Sequence, residues 1–250
     1  MQDFEDAFAD IATNYDYMFP RDLAEDSRML EPSFKAHQVR TILDCACGTG
    51  IHMAMLAQQG YDVSGSDASD AMLDQARLRL ASQDIEAPLY QALWSELPQV
   101  ISERFDAVIC IGNSLPLAGS DEQVQAAVAG MYEMVNPGGV LLVQNRNMDK
   151  MEAERPGAII NDGDDGYVVF IFEYAGDMVT YKIFFLPTSD DVGDVTYSEF
   201  LMNVLTRAKF IRMLGDLGVN SPAFYGDSYR SRFSRTRSPR MIMEVAKPSD

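Results

Sequence analysis

The sequence predicts an α/β fold in which parallel strands alternate with helices on both faces of one sheet, and three observations predict it. First, the short apolar runs Thr41–Cys45, Asp62–Ser66, Pro88–Ala92, Phe105–Ile109 and Val140–Arg146 are separated by helical periodicity at Met53–Gln59, Ala71–Leu80 and Gln123–Val135. Alternation of this kind implies parallel strands joined by crossover helices. Second, the first strand runs into Cys47-Gly48-Thr49-Gly50. Glycines there permit positive φ and let a ligand lie against the backbone, and the amides that follow face it at a helix N-terminus. Third, Asp67 closes the second strand, at about the 20-residue spacing where a ribose-binding acid stands in nucleotide-binding sheets. A dinucleotide fingerprint would place a third glycine where this chain has Met53. The loop alone therefore leaves open a plain strand-to-helix turn, and Asp67 favours an adenosine-ribose site.

Composition narrows the class. With 250 residues, 47% of them apolar, the chain can bury one sizeable core, as one domain or one domain with an insertion. No apolar run reaches membrane-spanning length, and the acidic start Met1-Gln2-Asp3-Phe4-Glu5-Asp6 is unlike a signal peptide, so a cytoplasmic location is expected. Cys45, Cys47 and Cys110 are too few for a disulfide framework and are expected to be packing residues. His37 and His52 are the only histidines, which disfavours a histidine-rich metal site, and no metal is expected. A net charge of −18 repels a phosphate backbone, so nucleic acid is not the expected partner. Arg230, Arg232, Arg235, Arg237 and Arg240 crowd one stretch, read as a loop pairing with the acidic body or with a neighbouring subunit of a homo-oligomer, ahead of an anion or RNA site. The acidity also fits exposure to high salt.

In chain order, residues 1–40 form a helical cap: Phe4, Phe8, Ile11 and Tyr15 fall at helical spacing, Tyr15 to Arg21 breaks the pattern, and a second helix carries Leu30 to Val39. Residues 41–146 are the ligand-binding core, in which Asn136-Pro137-Gly138-Gly139 stops a helix and turns into the fifth strand. Ligands gather at the carboxyl ends of such strands, which puts Gly48, Asp67, Trp94, Asn113 and Arg146 on one rim. Residues 147–205 change character. Asn161-Asp162-Gly163-Asp164-Asp165-Gly166 is a turn cluster rather than a calcium loop, because the glutamate at the twelfth position is missing. Tyr167–Tyr174 and Met178–Phe185 flank Ala175-Gly176-Asp177 as a β-hairpin. Residues 206–250 supply a helix at Thr206–Leu217, stopped by Gly218, and strands at Pro222–Tyr225 and Arg240–Ala246.

Asp44-x-Ala46-Cys47-Gly48-Thr49-Gly50 followed by Ser66-Asp67-Ala68-Ser69-Asp70-Ala71-Met72-Leu73 resembles the S-adenosylmethionine (SAM) loop and ribose segment of class I methyltransferases. Phe105 to Ser114 and Gln144 to Asp149 are similar to glycine N-methyltransferase and its bacterial and archaeal relatives, which methylate glycine, sarcosine or dimethylglycine. The likeness runs from about Tyr15 to Asp149. It implies a Rossmann-like, seven-stranded, mostly parallel sheet with its last strand antiparallel, a small antiparallel lid insertion, SAM as cofactor and a small amine as substrate. It also implies site roles. Gly48, Gly50, Asp67, Ala68, Met72, Leu93, Trp94 and Ile111 hold the cofactor, Asp67 through the ribose and Met72 and Trp94 beside the adenine. Tyr15 and Arg21 cover cofactor and substrate, and Arg146 and Asn113 hold a substrate carboxylate. Asp44 either fixes the glycine turn or receives the methionine ammonium. Arg146 has a plainer alternative, an ion pair with Asp149 or another local acid. Tyr15 or Tyr17 is a candidate to take or relay the amine proton. The chain departs from the family in having Leu117 where a histidine often follows the Gly-Asn-Ser, Asn145 before the arginine, and Ile183 and Asn203 near the places of the hairpin tyrosines. These departures bear on the acceptor, and an amino sugar or heterocyclic amine, or a silent SAM-binding protein, remain alternatives.

Overall fold

The computed structural model describes residues 8–9, 11–163, 166–188, 195–219 and 222–249. Its main sheet has seven strands: β1 (Thr41–Asp44), β2 (Asp62–Asp67), β3 (Leu89–Gln91), β4 (Phe105–Cys110), β5 (Val135–Arg146), β10 (Ala223–Tyr225) and β11 (Arg240–Ala246), in the order β10-β11-β5-β4-β1-β2-β3. Strands β1 to β5 run parallel, and β11 pairs antiparallel with β5, Arg240 opposite Arg146. The expected class I methyltransferase sheet is therefore present, including its reversed last strand.

Side chains alternate across this sheet as a pleat requires. Ile42, Ala107, Ile109, Val140 and Leu142 face helices α1 (Leu23–Ala36), α2 (Ile51–Gln58) and α3 (Asp70–Ser82). Leu43, Val108, Cys110, Leu141 and Val143 face α4 (Asp121–Glu133) and α6 (Arg207–Asp216). The third glycine of a dinucleotide loop normally lets helix approach strand. Here the strand supplies it: a Cβ on Gly65 of β2 would lie 2.3 Å from the sulfur of Met53 in α2. The same closeness is reached with the roles exchanged.

The elements before β1 differ from expectation. A 3-10 turn, Ala12–Asn14, and a helical turn, Tyr15–Met18, replace a continuous lead helix over the described part of that segment, and Phe4 lies outside the described residues. Helix α1 begins at Leu23 rather than near Leu30, because the Asp22 side chain accepts from the Glu25 amide and caps it there. Asn136 to Gly139 lie inside β5 as an irregularity, not before it. Strand β5 already pairs at Val135 with Phe105, the register shifts before Ala107, the Gly138 amide (φ 80°) donates to the carbonyls of Lys247 and Pro248, and the Lys247 amide donates to the Gly139 carbonyl.

After β5 comes α5 (Met148–Glu154), a helix within the stretch expected to be purely antiparallel; Asn147 caps it by accepting from the Lys150 amide. A second, four-stranded antiparallel sheet follows: β6 (Ala158–Gly163), β7 (Gly166–Ala175), β8 (Met178–Pro187) and β9 (Thr196–Asn203). Strands β7 and β8 are the expected hairpin, and Gly163 pairs with Gly166 across the turn cluster. One face of this sheet, Val168, Phe170, Phe172, Tyr181, Ile183, Phe185, Phe200 and Met202, packs on Ile11, Met18 and Met148. The other exposes Tyr167, Leu186, Tyr197 and Leu201. Among the described residues no helix is long and apolar enough to cross a membrane.

Candidate functional site

The glycine turn after β1 is fastened from three directions. The Gly48 amide donates to Asp67 Oδ2 at 2.9 Å, and the Ser69 amide donates to the other carboxylate oxygen at 3.0 Å. Thr49 donates its hydroxyl to Asp16 Oδ1 at 2.8 Å, while Arg79 of α3 donates to the Thr49 carbonyl and pairs with Asp16. The segment before α1 is thereby tied to the loop. Gly48 and Gly50 have φ of 51° and 76°, a region that favours glycine, and a Cβ on Gly50 would press on Ala76 of α3 at 3.1 Å.

Above this turn opens a cleft walled by Tyr15, Gly48, Asp67, Ala68, Met72, Leu93 and Trp94, each named from the sequence as a candidate site residue. Trp94 is aimed by its indole N–H, which donates to the Cys45 carbonyl at 2.6 Å. Gly130 of α4 lets that helix approach the backbone at Trp94, since a Cβ there would meet the Trp94 carbonyl at 2.1 Å. Phe8, Cys45, Ala46, Ala92, Ser114 and Leu117 complete the wall. None of these was named from the sequence as a site residue, although Cys45 was expected near the ligand, Ala46 lies in the glycine-loop motif and Leu117 stands where the family often has a histidine. Small and apolar residues carry no polar signal, although Ser114 lay within the Gly-Asn-Ser motif.

Other predicted residues stand behind the wall. Gly50 shapes the turn. Ile111 is buried in the core, offering its carbonyl to the Ser114 hydroxyl. Asp44 ends β1 fully buried; one oxygen accepts weakly from the Ala46 amide, and Oδ2 has no hydrogen-bond partner. Burial pushes its carboxyl up to about 6, against the opposing charge of His52. Burial likewise raises Asp67.

Arg21 and Arg146 line a neighbouring opening, shared with Asp22, Glu25, Asp26, Gln144, Pro239 and Arg240. The acids there are engaged: Asp22 caps α1, Asp26 bonds His52 at 2.9 Å, and Glu25 pairs with Arg240 at 3.0 Å. Neither Arg21 nor Arg146 forms an ion pair among the described residues. The alternative pairing of Arg146 with Asp149 is overturned, since Asp149 accepts from Arg235 at 2.7 Å and from the Arg207 amide at 2.9 Å. Arg146 instead lies over Phe170 and Tyr181, 5.5 Å and 6.0 Å from the ring centroids. Tyr181 is a hairpin tyrosine that the sequence comparison, looking near Ile183 and Asn203, passed over. Asn113, at φ 70°, accepts from the Arg146 amide at 2.9 Å and so fixes the strand end that carries the guanidinium.

The two openings meet at Tyr15 and Arg21. Their side chains interact electrostatically, and the Arg21 guanidinium lies so close over Gly112 that a Cβ there would fall 2.2 Å from Nη2. Burial raises the Tyr15 phenol above its ordinary value, the Arg21 charge opposing. Tyr17, the other candidate, is 57% exposed and stands away from both openings. All three cysteines are buried and unpaired, and burial raises Cys45 and Cys47 well above the usual thiol range, so they act as packing residues.

Strand order, reversed last strand and a glycine turn facing an acid at the end of β2 define a class I methyltransferase fold. Residues 42–139 match a family model described as a methyltransferase domain. Glycine/sarcosine N-methyltransferase of Aphanothece halophytica is 35% identical over 117 residues, 47% of this chain and 44% of that protein. Human glycine N-methyltransferase is 36% identical over 139 residues, 50% of this chain and 47% of that protein. The chain thus spans under half the length of these relatives. Among solved structures, an S-adenosylmethionine-dependent methyltransferase from Clostridium acetobutylicum superimposes with a TM-score of 0.82 at 18% identity, covering 95% of this chain and 98% of that one. A SAM-bound amino pentose methyltransferase from Micromonospora echinaspora does so at 0.71 and 19% identity, covering 95% and 97%. At such identities the likeness is one of fold.

Proposed function

We propose that the protein is a SAM-dependent N-methyltransferase whose acceptor is a small amine bearing a carboxylate, glycine or an N-methylated glycine above all. One observation supports the reading: Arg146, half-buried beside the cofactor cleft, holds its guanidinium over two aromatic rings with no ion-pair partner among the described residues. A desolvated cation calls for a partner, and a guanidinium takes a carboxylate through two parallel hydrogen bonds.

The residues present suit the cofactor. Asp67 retains lone pairs for ribose hydroxyls, Met72, Leu93 and Trp94 form an apolar slot of the kind a purine fills, and the partnerless Asp44 oxygen under the glycine turn suits an ammonium. SAM supplies a methyl group on a good leaving group, so little activation is asked of the protein. The chain's task is to hold the amine in line, and positioning of that kind is worth about 7 to 11 kcal/mol. In this reading Arg146 fixes the carboxylate, Asn113 fixes Arg146, and Arg21 with Tyr15 forms the partition across which the amine meets the methyl. With its pKa raised, Tyr15 stays protonated near neutrality, a donor rather than a base, and the amine binds neutral. We read residues 1–40 as a cap, 41–146 as the SAM-binding core, 147–205 as a lid and 206–250 as the closing helix and strands.

A second reading, an amino-sugar acceptor, is favoured by Leu117, which makes the cleft wall apolar where the family often has histidine. Product analysis across glycine, sarcosine, dimethylglycine, an amino sugar and a heterocyclic amine separates the two. Turnover of the sugar alone removes the carboxylate reading. Binding of NADH in place of S-adenosylhomocysteine removes both.

A further inference from the structure

A third cleft, on the α6 side of the sheet, is not used by the methyl-transfer site. It is lined by Arg207, Pro222, Phe224, Arg232, Phe233 and Arg235, with no acid among its described lining residues. In a chain of net charge −18 that is the reverse of the average surface. Cations just outside it are neutralised: Lys209 and Arg212 by Asp121, Arg230 by Glu244, Arg240 by Glu25. Arg235 pairs with Asp149, but the guanidiniums of Arg207 and Arg232 have no ion-pair partner among the described residues. Arg207 lies 4.9 Å over the Phe224 ring, and it opens α6, whose positive end adds to the field at the mouth.

The wall is preorganised. The Asn147 side chain donates to the carbonyls of Ser234, Arg235 and Ser238, and the Ser234 amide donates to the Ser238 hydroxyl. Gly226 packs so tightly that a Cβ would fall 2.0 Å from that hydroxyl. One unpaired guanidinium over an aromatic face at the start of α6, and a second on a loop fixed by hydrogen bonds, line a receptor for a flat anion.

We propose that this cleft binds a small organic anion in which a carboxylate or phosphate is carried on a planar ring, the oxyanion taken by Arg207 and Arg232 and the ring lying against Phe224 or Phe233. The guanidinium forks match an oxyanion bidentately, and the rings supply a desolvated face. The proposal does not rest on the methyl-transfer reading.

Calorimetric titration of the full chain, without cofactor and at low salt, tests it with three probes: isophthalate, glutarate with the same charge but no ring, and inorganic phosphate. Isophthalate should bind one site per chain about tenfold more tightly than glutarate or phosphate. Arg207→Gln with Arg232→Gln should weaken it about tenfold or more, the loss expected for charge-assisted bonds. Phe224→Leu should erase the advantage over glutarate, and Arg146→Ala should leave the isotherm unchanged. Circular dichroism and Tm confirm that each variant folds. No saturable heat at millimolar isophthalate, an isotherm indifferent to the double substitution, or loss of binding in Arg146→Ala overturns the proposal.

Discussion

Asp44→Asn isolates the physics of the buried carboxylate beneath the glycine turn. Burial moves its pKa from 3.8 to about 6, roughly two units, and each unit is worth about 1.36 kcal/mol, so ionising Asp44 in the fold costs on the order of 3 kcal/mol. The sign follows from linkage. A carboxyl with a raised folded pKa favours the native state while protonated, below about pH 4, and that contribution is lost as pH rises through about 6. The carboxyls held low by hydrogen bonds or charge, Asp26, Asp106, Asp121 and Asp227, act in the opposite sense, so the difference between variant and wild type is the quantity to measure. Urea denaturation of the cofactor-free protein from pH 4 to pH 8 should give a difference near zero at the acid end. The variant should gain through the interval and level off at up to about 3 kcal/mol. If Asp44 receives the cofactor ammonium as well as fixing the turn, the gain in stability comes with weaker binding of S-adenosylhomocysteine; unchanged binding assigns it to the turn alone. A difference that is flat with pH, or a variant less stable than wild type at pH 8, would refute the reasoning.

Other outcomes follow from single contacts. Asp67→Ala should cost about 1.5 to 3 kcal/mol of S-adenosylhomocysteine binding by calorimetry, the range for hydrogen bonds to a charged group. Gly112→Ala puts a Cβ at 2.2 Å from the Arg21 guanidinium and at φ 94°; Tm should fall by the equivalent of about 1 to 3 kcal/mol, and the acceptor KM should rise more than that of the cofactor. Asp16→Asn breaks the charged tie to Arg79 and should raise the KM for cofactor while protease nicking before α1 increases. Tyr15→Phe should lower kcat/KM by about tenfold without moving the acidic limb of its pH profile, since the phenol is a donor and not the base.

The cofactor side of the site was legible because its parts are local. A strand, a glycine turn and an acid on the next strand are fixed by spacing, and Gly48 does donate to Asp67. The exchange of glycine and bulky residue between Gly65 and Met53 was hidden, because either order gives the same closeness. Arg146 was visible as a strand-end charge, but its surroundings come from residues distant in sequence: Phe170 and Tyr181 from the second sheet, Arg240 from β11. Proximity in sequence suggested Asp149 as its partner. The cap of α5 turns that acid towards Arg207 and Arg235 instead. Helix α5 itself is short and shows no long periodicity. The crowded arginines were read correctly in part: Arg230, Arg235 and Arg240 pair with acids of the body, whereas Arg232 forms no ion pair among the described residues.

The claim that Arg146 recognises a carboxylate is tested most directly by kcat/KM for glycine against methylamine, its decarboxylated analogue, in wild type and Arg146→Ala at saturating SAM. The account predicts a strong preference for glycine in wild type, falling by about tenfold or more in the variant, equivalent to 1.5 to 3 kcal/mol, with S-adenosylhomocysteine affinity unchanged. Equal use of glycine and methylamine by the wild-type protein, or a preference that survives Arg146→Ala, would contradict it.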